Sequence, residues 1–175
     1  MKTLLPFAVA GAIVAGCASM GGGGGGAGAK ASLAPTTGNS TRGTVSFVQQ
    51  GDKVRVTADI TGLKPGGEHG FHVHEKGDCS SGDGMSAGGH FNPATKPHGN
   101  YHAGGDRHAG DLPNLQADSY GNATATFEAS GITVGSGAAD IVGKGLIVHR
   151  DADDYKSQPA GNAGPRLACA VIAKV

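Results

Sequence analysis

The sequence has few features of a helical, membrane-spanning or nucleic-acid-binding protein. Apolar residues at the three-to-four spacing of an amphipathic helix are almost absent, so few helices are expected. Lysine and arginine together number 14 and are balanced by 14 aspartates and glutamates, without a basic run. This balance gives no support for a nucleic-acid partner. The long apolar stretch at residues 4–15 is too short to cross a bilayer.

The first residues have the pattern of an export signal. Lys2 precedes the apolar stretch, whose length suits a signal-peptide core. The motif VAGC at residues 14–17 resembles a bacterial lipoprotein cleavage box, in which Cys17 becomes the lipidated first residue of the mature chain. We therefore expect a signal peptide at 1–16, followed by the lipid-anchor cysteine and a flexible glycine-rich tether at 17–28. An ordinary signal peptide with an incidental cysteine is the alternative.

This N-terminal pattern predicts where the protein resides. Acyl chains on Cys17 would attach it to a membrane without spanning the bilayer. We expect an exported protein of the bacterial periplasm or cell envelope, with the lipid anchor as its sole contact with the membrane.

Short alternating apolar segments, bounded by glycine, proline and aspartate, predict β-strands in the rest of the chain. The segments lie at residues 29–33, 44–48, 54–60, 123–127, 141–149 and 167–172. Two connections are long, 76–115 (with His90 inside it) and 150–165, and ordered loops of that length are usually functional. Residues 29–175 are therefore expected to form one all-β domain, a Greek-key antiparallel sandwich or flattened barrel with two long functional loops.

Seven residues of metal-ligand type are spread over these strands and loops. They are His72, His74, His90, His98, His108, Asp111 and His149. His72 and His74 are two apart, so on a strand both imidazoles point to the same face. Imidazoles with one carboxylate suit copper and zinc, whereas calcium or magnesium would require mostly oxygen ligands. Seven residues are too many for one four-coordinate ion, so the sequence predicts two adjacent metals.

With these motifs the chain resembles the copper–zinc superoxide dismutases, and in particular the bacterial exported type. The resemblance extends from about residue 43 to residue 175 and includes the motif GNAGPRLAC at 161–169. It implies a copper site and a zinc site that share His90 as a bridging imidazolate. The implied copper ligands are His72, His74, His90 and His149, and the implied zinc ligands are His90, His98, His108 and Asp111.

The same resemblance implies an activity and further residue roles. The activity would be dismutation of superoxide to dioxygen and hydrogen peroxide by a cycling copper ion, beside a structural zinc. Arg166 matches the arginine that guides the anion to copper, and His90 would supply protons, so both are expected to be catalytic. Asp153 matches a carboxylate that joins the two sites by accepting hydrogen bonds from His72 and His98.

The three cysteines fit an exported protein. If Cys17 is lipidated, Cys79 and Cys169 remain, and we expect them to form a disulfide. The bridge would tie the first long loop to the last predicted strand beside Arg166. Two unpaired thiols are the alternative. The sequence leaves the oligomeric state open between monomer and homodimer.

Two other functions could use residues of the same types. An anchored copper or zinc buffer could use the same scaffold, but the chain retains every copper ligand and the arginine. A hydrolase with two zinc ions would need a general base beside an open zinc position, and none is evident. His69 is expected to be structural, and His102 to be solvated.

Overall fold

The computed structural model describes Met1 and residues 26–175, so the predicted signal peptide, Cys17 and most of the tether lie outside the described residues. The described range contains ten strands and two 3₁₀ helices. The strands are β1 (Gly28–Pro35), β2 (Arg42–Gln50), β3 (Lys53–Thr61), β4 (Glu68–His69), β5 (Phe71–His74), β6 (Leu115–Gln116), β7 (Ala123–Ala129), β8 (Gly145–His149), β9 (Arg166–Val171) and β10 (Ala173–Lys174). The 3₁₀ helices are Met85–Ala87 and Tyr101–Ala103. Among the described residues, no helix has the length and apolar character needed to span a membrane.

The strands form one large antiparallel sheet with crossing connections. Its order is β5-β8-β9-β1-β2-β3-β7, and β10 pairs with β1 outside this path. The chain therefore passes from β3, near one end of the sheet, to β5 at the other end, and later returns from β7 to β8. A separate small sheet pairs β4 with β6. This confirms the predicted all-β, Greek-key type of architecture.

The predicted strands agree with the observed ones except at their ends. β2 and β3 contain the predicted segments 44–48 and 54–60, joined by a turn at Gly51, where φ is 60°. The prediction of a strand beginning at residue 141 is wrong, because residues 141–144 form a turn closed by a hydrogen bond from Lys144 N–H to the Ile141 carbonyl. β4, β6 and β10 were not predicted, since two residues are too few to show a period.

The inner faces of the strands form the hydrophobic core. Along β3 every second residue is buried, and the residues between them are exposed. β5 and β8 differ, because all their residues are buried. Phe71 and Val73 of β5 belong to the core, while His72 and His74 alternate with them and point to the opposite face. These two strands are therefore covered by the core on one face and by the long loops on the other.

The two long loops lie over this second face. The first follows β5 and includes both 3₁₀ helices, and the second spans residues 150–165 between β8 and β9. A disulfide joins Cys79 of the first loop to Cys169 of β9, with a Cα–Cα distance of 5.8 Å. This confirms the predicted bridge. The disulfide packs with Ala87 and Ile147 in a small apolar cluster of its own.

Candidate metal centre

Backbone pairing with β5 brings the loop ligands to the strand ligands. The Val73 N–H donates to the Gly110 carbonyl, and the Phe91 N–H donates to the Val73 carbonyl. His90 and Asp111, which are the neighbours of Phe91 and Gly110, thereby come to lie against β5. A Cβ at residue 110 would overlap with the Val73 carbonyl oxygen, so this approach requires glycine.

His149, the last of the seven candidate ligands, lies at the end of β8 beside His72 and His74. In the antiparallel pairing, Phe71 of β5 lies opposite Val148. The register with β9 then shifts between Val148 and His149. His149 is buried at the end of the strand, and its side chain joins those of His72 and His74.

The first donor group consists of four buried histidines, His72, His74, His90 and His149. One ring nitrogen of each lies within 4.8 Å of the others. Hydrogen bonds determine which nitrogen is free: Nδ1–H of His74 donates to the Gly88 carbonyl at 2.9 Å, and Nδ1–H of His149 donates to the Gly164 carbonyl at 3.1 Å. Their Nε2 atoms remain, and they face each other at 3.4 Å.

The second donor group consists of His90, His98, His108 and Asp111, whose donor atoms also lie within 4.8 Å of one another. Asp111 Oδ1 is 2.7 Å from His90 Nδ1 and 3.2 Å from His108 Nδ1. Asp111 Oδ2 is 3.0 Å from His98 Nδ1. The backbone N–H of His108 donates to the same Oδ2 at 2.9 Å, which fixes the carboxylate in place.

His90 belongs to both groups, with Nδ1 in the second and Nε2 on the other side of the ring. His90 Nε2 and His72 Nδ1 are buried and have no hydrogen-bond partner among the described residues. Buried nitrogens without a partner are costly in a folded protein unless a metal or another ligand satisfies them. The arrangement therefore fits two metal ions on either side of one imidazole.

The first donor group is suited to metals by its protonation state. Burial lowers the pKa of His90 to about 4 and that of His149 to about 3, and it places the pKa of His74 well below its ordinary value. All three rings are therefore neutral at pH 7, which is the form that binds a metal.

The second donor group, unlike the first, contains groups that are charged at pH 7, namely Asp111 and His98. Burial opposes ionisation of Asp111, but hydrogen bonds from His108, His90 and His98 keep the pKa of its carboxyl far below the ordinary range. Burial also opposes protonation of His98, yet hydrogen bonds to Asp111 and Asp153 raise its pKa to about 9. A metal must therefore displace a proton from His98 in order to bind there.

Asp153 connects the two groups through a single carboxylate. Its Oδ2 accepts from His72 Nε2 and its Oδ1 accepts from His98 Nε2, both at 2.9 Å. Its backbone is held by Asn114, which donates from Nδ2 to the Asp153 carbonyl and accepts from the Asp153 N–H. Asn114 was missed at the sequence level, and its position three residues after Asp111 is the signal that could have suggested it.

Arg166 lies in a cavity that reaches the first donor group. The cavity has a volume of about 980 Å³ and is lined by His74, His90, His149 and Arg166, among others. Nη1 and Nη2 of Arg166 each donate at 2.6 Å to a backbone carbonyl, those of Gly84 and Gly88 respectively. Both carbonyls belong to the loop that the disulfide ties to β9.

A separate cavity of about 470 Å³ beside Lys96 contains none of the seven ligand candidates.

The two remaining histidines lie outside both donor groups. His69 is fully buried, and its Nδ1–H donates to the His149 carbonyl at 2.9 Å. His102 is exposed in the second 3₁₀ helix, with its ring near those of Tyr101 and Tyr155. Their positions agree with the structural and solvated roles expected for them.

An antiparallel β domain with two donor groups fused through one histidine defines a metalloprotein built for a pair of ions. The chain matches the family described as copper/zinc superoxide dismutase (SODC) over residues 41–172. The protein therefore belongs to the copper/zinc superoxide dismutase family, and the two donor groups fit the copper and the zinc of that family.

Similar proteins agree with this assignment. A Cu-Zn superoxide dismutase of Paramecium bursaria Chlorella virus 1 is 46% identical over 140 residues, which cover 75% of this chain and 72% of the relative. Cu-Zn superoxide dismutase 1 of Aquifex aeolicus (strain VF5) is 40% identical over 134 residues, covering 74% and 79%. Among solved structures, the clock protein EA4 superimposes with a TM-score of 0.76 at 42% identity, covering 85% of this chain and 94% of EA4. A double mutant of a SOD-like protein from Bacillus subtilis gives 0.74 at 35% identity, covering 82% and 96%.

Proposed function

We propose that the protein dismutates superoxide to dioxygen and hydrogen peroxide, with copper in the first donor group and zinc in the second. The observation that supports this most directly is the position of His90 in both groups. As an imidazolate, which has lost the protons of both ring nitrogens, this one side chain would serve both metal sites.

The chemistry of the donor sets supports this distribution of the metals. The first group consists of imidazoles alone, three of which line the cavity, so a small molecule can reach it. The second group includes the Asp111 carboxylate; its members His90 and His108 also line the cavity, whereas His98 and Asp111 do not. Dismutation requires a metal that exchanges one electron reversibly. Zinc has no redox chemistry in proteins, so bound copper would supply this exchange.

His90 is proposed to hold and release a proton at Nε2. Its Nδ1 lies 2.7 Å from Asp111, so the ring cannot turn without losing this contact. Nε2 has no hydrogen-bond partner among the described residues, and the ring lines the cavity. A proton on Nε2 is therefore placed to reach a molecule in the cavity rather than another side chain.

Arg166 is proposed to attract and orient the anion. A guanidinium stays charged at every physiological pH and has five N–H donors in a planar fork. The Gly84 and Gly88 carbonyls use part of this fork and hold it beside the cavity. The remaining donors and the fixed charge favour a small anion, and such steering raises the encounter rate.

The test is superoxide decay in the presence of the mature chain loaded with copper and zinc, measured by stopped flow. His149→Ala removes a ligand of the first group alone and leaves the second group complete. The proposal requires rapid catalytic decay with the wild type and its loss in this variant. Bound metals without acceleration above the variant would identify a metal-storage protein instead.

We also propose that the protein belongs to the bacterial exported type and is held in the periplasm or cell envelope by a lipid on Cys17. The motif at residues 14–17 supports the anchor, and the Cys79–Cys169 disulfide suits an oxidising compartment. Fractionation of Cys17→Ser tests it. The variant should lose its membrane association, and a distribution identical to that of the wild type would contradict the anchor.

A further inference from the structure

Gln158 forms a reciprocal pair of hydrogen bonds with the backbone of His98. The His98 N–H donates to Gln158 Oε1 at 2.9 Å, and Gln158 Nε2 donates to the His98 carbonyl at 2.8 Å. His98 lies in a segment without strand or helix. Within the described part of the chain, these two bonds are the partners of its backbone. The side-chain amide thus takes the place that a neighbouring strand would have.

The chemistry of this pair is specific to an amide. Asparagine and glutamine carry a donor and an acceptor side by side, so one side chain satisfies both backbone groups of a single residue. A glutamate of the same shape keeps the acceptor but places a charged oxygen against the His98 carbonyl. The exchange of one NH₂ group for one oxygen therefore converts an attraction into a repulsion.

The loop that carries Gln158 also holds the ring of His98. Asp153, five residues earlier, accepts from His98 Nε2 at 2.9 Å. Between the two, Asp154 accepts from the N–H groups of Lys156 and Ser157 at 2.9 and 2.8 Å, so the segment has its own hydrogen-bonded framework. The loop therefore forms hydrogen bonds with both the ring and the backbone of His98, and these orient Nδ1 towards the second donor group.

We propose that Gln158 is a positioning residue for zinc, which acts by holding the backbone of His98. Pro159 and Ala160, the next two residues, line the cavity that leads to the first donor group. The same contact therefore ties the zinc ligand to the wall of the cavity. This inference rests on the proposed assignment of zinc to the second group, but not on the electron-transfer reaction.

The experiment measures metal release from the mature chain loaded with copper and zinc. Zinc released to excess 4-(2-pyridylazo)resorcinol is followed by absorbance, and retained copper by electron paramagnetic resonance. We expect Gln158→Glu and the uncharged Gln158→Met to release zinc about 10 to 100 times faster than the wild type, as is typical when a residue that orients a ligand is lost. Copper release should be unchanged. Cobalt bound in the zinc site should show a shifted visible spectrum in both variants.

Gln116→Glu is the matched control. Gln116 Nε2 donates to the carbonyls of Gly66, Gly67 and Ala117, so the same chemical change is made against backbone acceptors that hold no metal ligand. Its zinc release should equal that of the wild type.

Two outcomes would overturn the inference. One is wild-type zinc release in both Gln158 variants. The other is a parallel acceleration of zinc and copper release with a lower melting temperature, which would show a general loosening of the fold. If Gln158→Glu does not fold, the uncharged variant gives the same comparison. Faster zinc release in a protein that does not accelerate superoxide decay would support the inference and contradict only the proposed reaction.

Discussion

Gly161 lies directly against the carboxylate of Asp153, so that a Cβ at residue 161 would overlap with Asp153 Oδ1. The same Cβ would lie 2.7 Å from His98 Nε2. The backbone of Gly161 also has a φ of 63°, a conformation that favours glycine. The hydrogen bonds by which Asp153 connects the two donor groups therefore depend on the absence of a side chain at residue 161.

The first prediction concerns this glycine. In Gly161→Ala the methyl group should displace the Asp153 carboxylate from His98 and lower the affinity for zinc by about 10 to 100 times. Zinc competition with a chelator measures the change. Gly51→Ala is the control, because Gly51 has a similar φ of 60° and nothing within 4 Å of its Cβ. It should cost about 1 kcal/mol of stability through the backbone alone and keep its zinc, and equal zinc losses would contradict the role of the contact.

The second prediction concerns the carboxylate itself. Asp153→Asn has the same shape but offers one acceptor and one NH₂ group, so it cannot accept from both His72 and His98. We expect zinc affinity to fall by about 10 to 100 times and copper affinity to fall as well. Asp59→Asn, on the exposed face of β3, is the control and should bind both metals normally. Wild-type zinc affinity in Asp153→Asn would show that the connection is dispensable.

The third prediction concerns anion steering. Arg166→Ala should keep both metals, since the guanidinium is not a donor in either group, but lower the rate of superoxide decay about tenfold or more at low ionic strength. Added salt should slow the wild type towards the rate of the variant, because salt screens the charge. Arg55→Ala, an exposed arginine of β3, should leave the rate and its salt dependence unchanged. Full activity of Arg166→Ala at low salt would exclude the steering role.

The fourth prediction concerns the disulfide. Breaking Cys79–Cys169 in the metal-free protein should lower the free energy of unfolding by about 2–4 kcal/mol, measured by denaturant titration of Cys79→Ser. The anchors of Arg166 at Gly84 and Gly88 lie on the freed loop, so the activity of the metal-loaded variant should also fall. An unchanged midpoint, with Cys17→Ser as the reference for loss of a cysteine, would contradict the stabilising role.

The fifth prediction concerns pH in the metal-free protein. The folded pKa values of His90 (about 4) and His149 (about 3) lie below the unfolded value of about 6.5, so the unfolded chain binds more protons and stability falls as the pH drops below 6.5. The folded pKa of His98 is raised to about 9, so its contribution is present below pH 6.5 and is lost as the pH rises towards 9. Unfolding free energies measured in chelator should therefore be highest near pH 6.5. A free energy that rises steadily from pH 6.5 to 9 would contradict the predicted protonation of His98.

Much of this structure was predictable from local patterns. Strict alternation along β3 indicated a strand with one buried face, and the paired His72 and His74 indicated a shared face on β5. The start of β8 was predicted wrongly, because the apolar residues at 141–142 continue the pattern of a strand while Gly143, with a φ of 79°, turns the chain. An apolar pattern reflects burial, and a turn that begins with a buried residue such as Ile141 can have the same apolar residues as a buried strand.

The residues that orient the ligands were not predictable in the same way. Gly88 and Gly164 act through backbone carbonyls, which every residue possesses, so their sequence identity gives no sign of their contact with His74 and His149. Gln158 is 60 residues from His98 along the chain, and its role depends on how the two loops meet. Such contacts exist only after the chain has folded.

The amino-acid sequence by itself determined the chemical types available, namely six imidazoles and one carboxylate of metal-binding character, two cysteines able to pair, and strands with one apolar face. The tertiary structure decided which ring nitrogen of each histidine is free, and that His90 alone belongs to both donor groups. The physical reason is that donor type is a property of each side chain. Donor geometry depends on long-range backbone contacts, such as those of Val73 with Phe91 and Gly110, that place distant segments within a few ångströms of one another.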